Sequence, residues 1–480
     1  MSNKVIKAGL GYTIGNYLLK GITFFTIPIF ARLLNPNDYG RYSVFASYEA
    51  MLFVVIGLAI HSSYKNARYK FGTCEEGAIQ GRDYRSYIST TMMMIVTMFI
   101  LFVTVANTFY PYLGEMVGLD RLSINMLILF SFGSAVICCF NVDVALEYKF
   151  QSFIKIAGIN AISNILLSIM LIMTLYKGDP YMGRVIGSTV PVAVLASIIV
   201  YKYLKIAKPC NFKYFLSWGI RYSLPIIPHG LSQIVLNQFD RIMINAFIGA
   251  YQAGMYSFAY NIYNIVSVTS TSVDNAWGPW FYEKMHSKEY GIIREKSRLY
   301  MIFLCILVSC VLLVSPELIK LLGTARYYDA MSSAIPLIAG GFFAYMYNIP
   351  AGVEYYYEKT RFIAIGTFLA ATINVCLNYY VISNFGYIAV AYTTLLTYFL
   401  YFCFHYVIAW RINGNCIFCT KTVILCSCIV VIVALFTLIF IKTWMFRWLV
   451  MLAFFSVAIV YEEKKLKLGY KLKYKLMKRG

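Results

Sequence analysis

Two charged residues stand side by side in a stretch that is otherwise suited to lipid. Asp240 and Arg241 lie in IVLNQFDRIMIN, residues 234–245. A cation at the centre of a membrane helix costs roughly 2.5–3.5 kcal/mol on insertion scales, so such residues are expected to face a protein interior. Arginine can bind a phosphate through two parallel hydrogen bonds, and an intramembrane acid can hold a proton or a cation. The pair indicates ligand binding or ion coupling, and a buried ion pair that only joins helices is the alternative.

The residues around this pair predict a polar stripe on one helix. At about 100° per residue, His229, Gln233, Asn237, Asp240 and Arg241 fall within about 120° of arc. Asp240 and Arg241 point about 100° apart on such a helix. Each is therefore expected to find its partner on another helix.

The first apolar stretch has a similar design. Asn16, Lys20 and Thr23 share one helical face, with Lys20 in the middle of the stretch. Lysine acts as a point charge toward phosphate, whereas arginine binds it bidentately. Together with the stripe around Arg241, this predicts a polar cleft for an anionic ligand. The candidate substrate-binding residues are Lys20, Arg241, Asn16, Asn237, Gln233 and Tyr256.

Acidic residues inside apolar stretches are candidates for ion coupling or gating. They are Asp240, Glu49, Asp143 and Asp274. Each could take up H+ or Na+ during a transport cycle. No other cofactor is predicted. Cys416 and Cys419 form a CxxC without a second pair, so no metal site is predicted either.

Composition identifies the elements that carry these residues. The chain has 480 residues, of which 60% are hydrophobic and 13% are charged, and its mean hydropathy is +0.66. Apolar runs of about 20 residues recur throughout, which matches the thickness of a bilayer. We therefore predict an all-α polytopic membrane protein with about fourteen transmembrane helices. They are expected at 9–33, 40–62, 86–108, 122–146, 153–176, 183–204, 222–248, 253–275, 297–322, 330–351, 362–382, 387–410, 421–441 and 445–461.

The net charge of +21 has a positional explanation. With the N-terminus inside, thirty of the 42 Lys and Arg residues fall on inward loops and ends, and nine fall outside. This is the positive-inside pattern, with both termini cytoplasmic, so a nucleic-acid partner is not expected. The predicted extramembrane stretches are only about 20 residues long, too short for a catalytic domain with its own core. There is no P-loop either, so ATP hydrolysis is not expected, and the chain is predicted to be a transporter and not an enzyme.

Two short segments recur along the chain. YGRYSVFASY at the first hairpin aligns with AGMYSFAYNIY at a shift of 214, and NILLS from Asn164 aligns with NVCLN from Asn374 at a shift of 210. Both shifts mark units of six helices, an even number, which predicts a parallel repeat of two lobes with a site between them. The predicted divisions are an N-terminal lobe at 1–208, a C-terminal lobe at 209–413, two additional helices at 414–461 and a basic cytoplasmic tail at 462–480.

Three longer stretches resemble a known family. PIFARLLNPNDYGRYS, DRIMINAFIGAYQAGMYSFAYNI and INVCLNYYVISNFGYIAVAYTT are similar to motifs of O-antigen and capsular polysaccharide flippases, in the multidrug/oligosaccharidyl-lipid/polysaccharide exporter superfamily. The resemblance implies a fourteen-helix, two-lobed protein of the bacterial inner membrane. It also implies transfer of an undecaprenyl-pyrophosphate-linked oligosaccharide from the cytoplasmic to the periplasmic leaflet by alternating access.

The resemblance also suggests partners and alternatives. The implied partners are the lipid-linked oligosaccharide, membrane lipids, and a polymerase and chain-length regulator of the same lipopolysaccharide or capsule pathway. An ion-coupled exporter of small cationic drugs would share the fold, although Lys20 and Arg241 favour an anionic cargo. An O-antigen polymerase or ligase is a third hypothesis, and the short outward loops argue against it.

Overall fold

The computed structural model describes residues 3–72, 79, 81–413, 417–454 and 456. The regular structure within these ranges is helical, and no strand occurs there. In chain order the α-helices are α1 (Asn3–Leu33), α2 (Pro36–Ile56), α3 (Tyr64–Phe71), α4 (Tyr84–Thr108), α5 (Tyr110–Val117), α6 (Arg121–Leu146), α7 (Phe150–Met173), α8 (Pro180–Ile206), α9 (Phe212–Ser223), α10 (Ile227–Phe247), α11 (Ala250–His286), α12 (Tyr290–Leu322), α13 (Ala330–Met346), α14 (Asn348–Tyr356), α15 (Thr360–Phe385), α16 (Tyr387–Asn413), α17 (Thr420–Ile439) and α18 (Trp444–Phe454).

The predicted polytopic α-helical architecture is confirmed. Ten helical segments within the described residues are long and apolar enough to cross a membrane, and a bent pair formed by α2 and the helix after it adds an eleventh. The helices α10, α11 and α18 lie at the remaining predicted positions. The polar stripe of α10 lowers its mean hydropathy, whereas α18 is short. The total agrees with about fourteen helices.

Several predicted boundaries are wrong for identifiable reasons. The stretch 40–62 is not one helix, because α2 ends at Ile56 and the chain bends by 52° after Leu58 and Ala59, which both have φ of 47°. The stretch predicted as a loop at 276–296 is largely helical, with α11 reaching His286 and α12 starting at Tyr290. Polar residues on these extensions lower hydropathy without ending the helix, so composition alone placed the ends too early.

Two prolines divide the predicted helix 222–248. The chain forms α9, then a 3₁₀ turn at Leu224–Ile226, and then α10 from Ile227. Pro225 and Pro228 lie in this turn and in the first turn of α10. Proline is tolerated there because the first amides of a helix have no intrahelical acceptor.

Helix bounds recur at the two predicted shifts. The helices α1 and α10 end at Leu33 and Phe247, and α2 and α11 begin at Pro36 and Ala250, 214 residues later in both cases. The helices α7 and α15 begin at positions 150 and 360, a shift of 210. The short sequence matches therefore lie on helices whose bounds recur at the same shifts, and the two-lobe division stays a prediction.

The connectors of the equivalent hairpins have clear local causes. Asn35 caps α2, and its Oδ1 atom accepts a hydrogen bond from the amide of Asp38 at 2.9 Å. Pro36 occupies the first turn of that helix, where a missing N–H costs nothing. Between α10 and α11, Gly249 adopts φ of +131°, which only glycine enters readily. Both connectors are short, so each helix pair is antiparallel.

The chain divides into two compact units that do not follow the chain order. The predicted lobe bounds at 208 and 413 stay a prediction. Unit 1 comprises Met1–Ser257, Leu322–Arg326 and Thr367–Val390, and unit 2 comprises Phe258–Leu321, Tyr327–Gly366 and Ala391–Gly480.

Candidate functional site

The carboxylate of Asp240 is the centre of a buried polar network in unit 1. Asp240 is 1% exposed and accepts hydrogen bonds from the Tyr256 hydroxyl at 2.5 Å and from Asn378 Nδ2 at 2.7 Å. Asn378 Nδ2 also donates to Asn374 Oδ1 at 3.1 Å. We call these four residues the Asp240 cluster. Its members come from α10, α11 and α15, so the prediction that Asp240 finds its partners on other helices is confirmed.

The spacing of Asn374 and Asn378 in the sequence explains why both reach the Asp240 cluster. Asn374 and Asn378 are four residues apart, so they lie one turn apart on the same face of α15. Both asparagines and Tyr256 are fully buried. Buried polar groups must be hydrogen-bonded to offset the loss of water. The role of Tyr256 in this conformation is to hold Asp240, and its contact with substrate stays a prediction.

Arg241 is almost as buried as its neighbour but is engaged differently. The side chain is 7% exposed, and its Nη1 atom donates to the Asn237 carbonyl at 2.9 Å and to Gln238 Oε1 at 2.5 Å. Gln238 lies off the predicted stripe. The expectation that the guanidinium faces the protein interior is confirmed. Its hydrogen bonds to Asn237 and Gln238 lie within α10, and its partner on another helix stays a prediction.

Gln233 of the predicted stripe links α10 to α15, and Asn237 bonds within α10. Gln233 Nε2 donates to Thr367 Oγ1 at 3.2 Å, and Asn237 Nδ2 donates to the Gln233 carbonyl at 2.7 Å. Gln233 and Asn237 are half-buried. They therefore remain candidates for contact with a ligand, although no finding tests that role.

Equivalent glycines of the two repeats are in direct contact. A Cβ atom added at Gly40 would lie 1.7 Å from the Ala250 carbonyl oxygen, and one added at Gly254 would lie 2.0 Å from the Pro36 carbonyl oxygen. Pro36 and Ala250 are the first residues of their helices and are equivalent in the repeat. Only glycine permits such an approach, because any side chain would overlap the backbone of the other helix.

A pair of serines repeats this relation one turn further along. Ser257 and Ser43 are hydrogen-bonded with 2.7 Å between their Oγ atoms, and they lie 214 residues apart. Each residue thus touches its own equivalent, which is the signature of a twofold relation. We call Gly40, Gly254, Ser43 and Ser257 the repeat contact. The contact between α2 and α11 is therefore approximately twofold symmetric at this point.

The other predicted acids each have their own partners. Glu49 hydrogen-bonds with Ser134 on α6. Asp143 is buried and accepts hydrogen bonds from the Tyr84 and Tyr203 hydroxyls at 3.0 and 2.6 Å. The structure therefore does not gather the acids around one centre.

Asp274 is held in a similar way within unit 2. It accepts hydrogen bonds from the Tyr300 hydroxyl and from Asn348 Nδ2, the latter at 2.6 Å. The coupling and gating roles of Asp274, Glu49 and Asp143 stay predictions. No cluster of three or more His, Cys, Asp or Glu suited to a metal occurs in the described ranges, and Cys416 lies outside them.

The first helix places Lys20 on an accessible surface. Its side chain is exposed, and no carboxylate within the described part of the chain forms an ion pair with it. α1 packs on α7, where Gly11 and Gly15 lie against Phe150 and Ile154. The side chain of Asn16 lies outside the described residues. That Lys20 faces α10 across a cleft stays a prediction.

A buried pair that the sequence did not reveal occurs in unit 2. His405 Nδ1 lies 2.6 Å from Glu354 Oε1, and both side chains are fully buried. The second side-chain atoms, Glu354 Oε2 and His405 Nε2, have no hydrogen-bond partner within the described structure. A separation of 51 residues gave no local signal for this pair.

We expect H405A to destabilise the protein strongly. Removing one partner of a buried hydrogen bond leaves the other group unsatisfied, which costs about 1–3 kcal/mol, and more where that group is charged. Thermal unfolding of the detergent-solubilised protein can be followed with a thiol-reactive dye, because Cys139, Cys305 and Cys426 are buried. H61A is the matched control and should change the unfolding temperature little. An unchanged temperature for H405A would contradict the structural role of the pair.

The sequence matches a family and two relatives. The family whose sequence model is described as polysaccharide biosynthesis protein matches residues 5–285. Protein 1 of the Lsg locus of Haemophilus influenzae is 22% identical over 388 residues, which cover 78% of this chain and 90% of that relative. An uncharacterized membrane protein of the same organism is 24% identical over 338 residues, covering 65% and 74% respectively.

The fold matches solved membrane transporters. The lipid II flippase MurJ in an inward closed conformation gives a TM-score of 0.71 at 13% identity, covering 94% of this chain and 99% of that one. An inward-facing multidrug resistance transporter of the MATE family, from the MOP superfamily, gives 0.57 at 15% identity, covering 81% and 94%. At sequence identities of 13% and 15%, these structural similarities are evidence for the fold alone. Because the family match spans more than half of the sequence, this chain belongs to the polysaccharide biosynthesis protein family, and its fold is similar to that of these solved transporters.

Proposed function

We propose that this chain is a flippase for an undecaprenyl-pyrophosphate-linked oligosaccharide, an O-antigen or capsule repeat unit. It moves this cargo from the cytoplasmic to the periplasmic leaflet of the bacterial inner membrane by alternating access of two lobes. It is a transporter rather than an enzyme, with both termini cytoplasmic. Its proposed partners are the lipid-linked oligosaccharide, membrane lipids, and a polymerase and chain-length regulator of the same pathway.

The observation that carries this proposal is a buried arginine on a polar membrane helix, in a chain of the polysaccharide biosynthesis family. Placing Arg241 inside a membrane helix costs free energy, so its presence there indicates a functional or a structural role. A pyrophosphate carries negative charge across the bilayer, so its carrier needs fixed positive charge. Arg241 and Lys20 can supply that charge, and the lipid II flippase of similar fold is named for a lipid-linked cargo.

The repeat contact supports an alternating mechanism. The positive-inside pattern assigns the α1–α2 and α10–α11 connectors to the periplasmic side. In that orientation, contact between Gly40 and Gly254 closes the outward end of a path between the repeats. We propose that outward opening separates α2 from α11 at the repeat contact. No side chain interlocks at the two glycines, so the separation breaks mainly van der Waals contacts and the Ser43–Ser257 hydrogen bond.

The Asp240 cluster is the best candidate for ion coupling. It offers one carboxylate and two amide side chains, and oxygen atoms of these types are suitable ligands for hard cations. Asp240 could equally take up a proton, which would weaken its acceptance of hydrogen bonds from Tyr256 and Asn378. Either event changes the link between α10, α11 and α15. A bound cation could thereby bias the helices toward one conformation.

We expect D240N to abolish the response of the protein to its coupling ion. If that ion is Na+, adding Na+ in place of K+ should raise the unfolding temperature of the purified wild type. At a Na+ concentration of one hundred times Kd, binding stabilises the folded protein by about 2.7 kcal/mol. D240N should show no such shift. The same measurement on D143N and D274N distinguishes the candidate acids. If D240N kept the wild-type rise in unfolding temperature with Na+, Asp240 would not be the coupling residue. An unfolding temperature that responds to pH and not to Na+ would indicate H+ as the coupling ion.

An exporter of cationic drugs is the second candidate function. It is favoured by the buried acid Asp240 and by the similar fold of the MATE-family transporter. A cationic drug would be repelled by Arg241 and Lys20, whereas an anionic lipid would be attracted. Growth of cells that lack their own drug exporters, with and without this chain, tests this alternative directly.

Complementation tests the proposed function. In cells that lack their own repeat-unit flippase but carry the matching sugar cluster, this chain should restore surface polysaccharide. Pulse labelling should also show that the lipid-linked repeat unit no longer accumulates in the cytoplasmic leaflet. Failure of the inserted protein to restore export would contradict the proposal. If the polysaccharide regained its length while the lipid-linked repeat unit stayed in the cytoplasmic leaflet, the polymerase or ligase hypothesis would be favoured instead.

A further inference from the structure

A cavity of about 350 Å³ lies at one end of unit 1, outside the Asp240 cluster. It lies at the end where α6 and α8 finish and α4 and α7 begin. The positive-inside pattern assigns this end to the cytoplasmic side. Six charged side chains line the cavity, which we call the basic pocket. They are Arg85, Lys149, Lys155, Lys202, Asp143 and Glu147.

Both acids of the basic pocket are already paired with bases. Arg85 Nη1 lies 3.3 Å from Asp143 Oδ2, and Arg85 also forms an ion pair with Glu147. Lys149 Nζ lies 2.5 Å from Glu147 Oε2. Partial burial opposes the ionisation of Glu147, but Lys149 and Arg85 outweigh it and lower the pKa of the carboxyl group. Glu147 is therefore expected to be charged near neutral pH, and both acids are paired within the basic pocket.

Two lysines remain as surplus positive charge. Lys155 on α7 and Lys202 on α8 are exposed, and neither forms an ion pair with a carboxylate in the described part of the chain. With four bases and two acids, the basic pocket has a net charge of +2. No side chain caps the start of α7, so its first amides add partial positive charge. This electrostatic environment favours a compact anion.

The basic pocket also has apolar walls. They consist of Phe140, Val144, Ile156, Ile198, Ile199 and Ile206. Charged residues beside an isoleucine-rich surface match a ligand that carries an anionic head on a hydrocarbon chain. Basic pockets between membrane helices on the cytoplasmic side are typical sites for anionic lipid headgroups. A free anion would leave the apolar surface without a contact.

We propose that the basic pocket binds the phosphate of a lipid in the cytoplasmic leaflet, with Lys155 and Lys202 in direct contact. Arg85, held by Asp143 and Glu147, forms the fixed cationic wall behind them. The isoleucines receive the first part of the hydrocarbon chain. The phosphate can belong to an anionic phospholipid or to a polyprenyl diphosphate. The assignment does not depend on flippase activity, because it concerns binding alone.

Native mass spectrometry of the purified full-length chain tests this site. The probes are phosphatidylglycerol, phosphatidylcholine, a sugar-free polyprenyl diphosphate and inorganic phosphate. We expect retention of phosphatidylglycerol or the polyprenyl diphosphate over phosphatidylcholine, with K155A/K202A binding roughly thirtyfold more weakly. K205A/K208A removes the same charge from the same end of the protein without touching the cavity lining, and should bind as wild type.

The outcomes separate the two sources of phosphate. Retention of the polyprenyl diphosphate alone identifies a cargo lipid, and retention of phosphatidylglycerol identifies a membrane lipid. Competition by millimolar inorganic phosphate with no preference for a lipid would overturn the proposal, as would wild-type binding by K155A/K202A. K155R/K202R keeps the positive charges and should bind as wild type. If it does, the weaker binding of K155A/K202A reflects the loss of charge and not misfolding. Because no transport is measured, failure here is distinguishable from failure of complementation.

Discussion

A disulfide formed in S43C/S257C is expected to stop export, and its reduction is expected to restore export. The two serine Oγ atoms are 2.7 Å apart, so thiols at these positions can meet with little movement of the backbone. If the transport cycle separates α2 from α11, the covalent link prevents outward opening. The expected loss is to the level of cells without the chain. Surface polysaccharide before and after addition of a reducing agent measures the effect.

Three controls make this experiment specific. The native cysteines are replaced first, and each single variant, S43C or S257C, should export normally. G57C/A135C provides a disulfide within the predicted N-terminal lobe, since an added Cβ at Gly57 lies 3.1 Å from the Ala135 Cβ. That link should leave export intact. Full export by a completely cross-linked S43C/S257C protein would show that the repeat contact stays closed throughout the cycle.

The variants R241A and K20A are expected to abolish export while the protein still inserts into the membrane. The physical reason is that each removes a positive charge proposed to compensate the pyrophosphate. R241K keeps the charge but loses the planar fork for bidentate binding, so a partial loss is expected. K20R should retain export. Surface polysaccharide, normalised to the amount of protein in the membrane, is the measurement.

The two substitutions differ in their structural risk. Lys20 is exposed and forms no ion pair within the described residues, so K20A is not expected to lower stability. Arg241 is buried, and R241A leaves acceptors such as Gln238 Oε1 without that donor. Q238A removes this acceptor while keeping the guanidinium, and thus reports the structural part of the effect. Normal export by both K20A and R241A would contradict the cationic cleft.

The architecture could be predicted because its signals are local. Hydrophobic runs as long as a bilayer is thick mark the helices, and the spacing of polar residues fixes which face of α10 carries them. Pro225 and Pro228 marked the break before that helix, since proline disfavours a continuous helix. Helix ends were less predictable, as at His286, because solvated helix and loop share a polar composition.

The partners of the buried charges were decided by tertiary packing. Asp240 meets Asn378 across 138 residues and His405 meets Glu354 across 51, and nothing in the local sequence links either pair. Asn374 had appeared only as a mark of the repeat, although an asparagine pair one turn apart in an apolar helix is itself a signal of a polar contact.

The repeat contact combines both kinds of information. The sequence by itself determined that Gly40 and Gly254, and likewise Ser43 and Ser257, occupy equivalent positions 214 residues apart. Only the tertiary structure decided that equivalent residues touch, because contact depends on where the approximate twofold axis passes through the helices. The same division applies to Asp240 and Arg241. The sequence placed both residues inside a membrane helix. Only packing decided that the carboxylate of Asp240 accepts hydrogen bonds from Tyr256 on α11 and from Asn378 on α15.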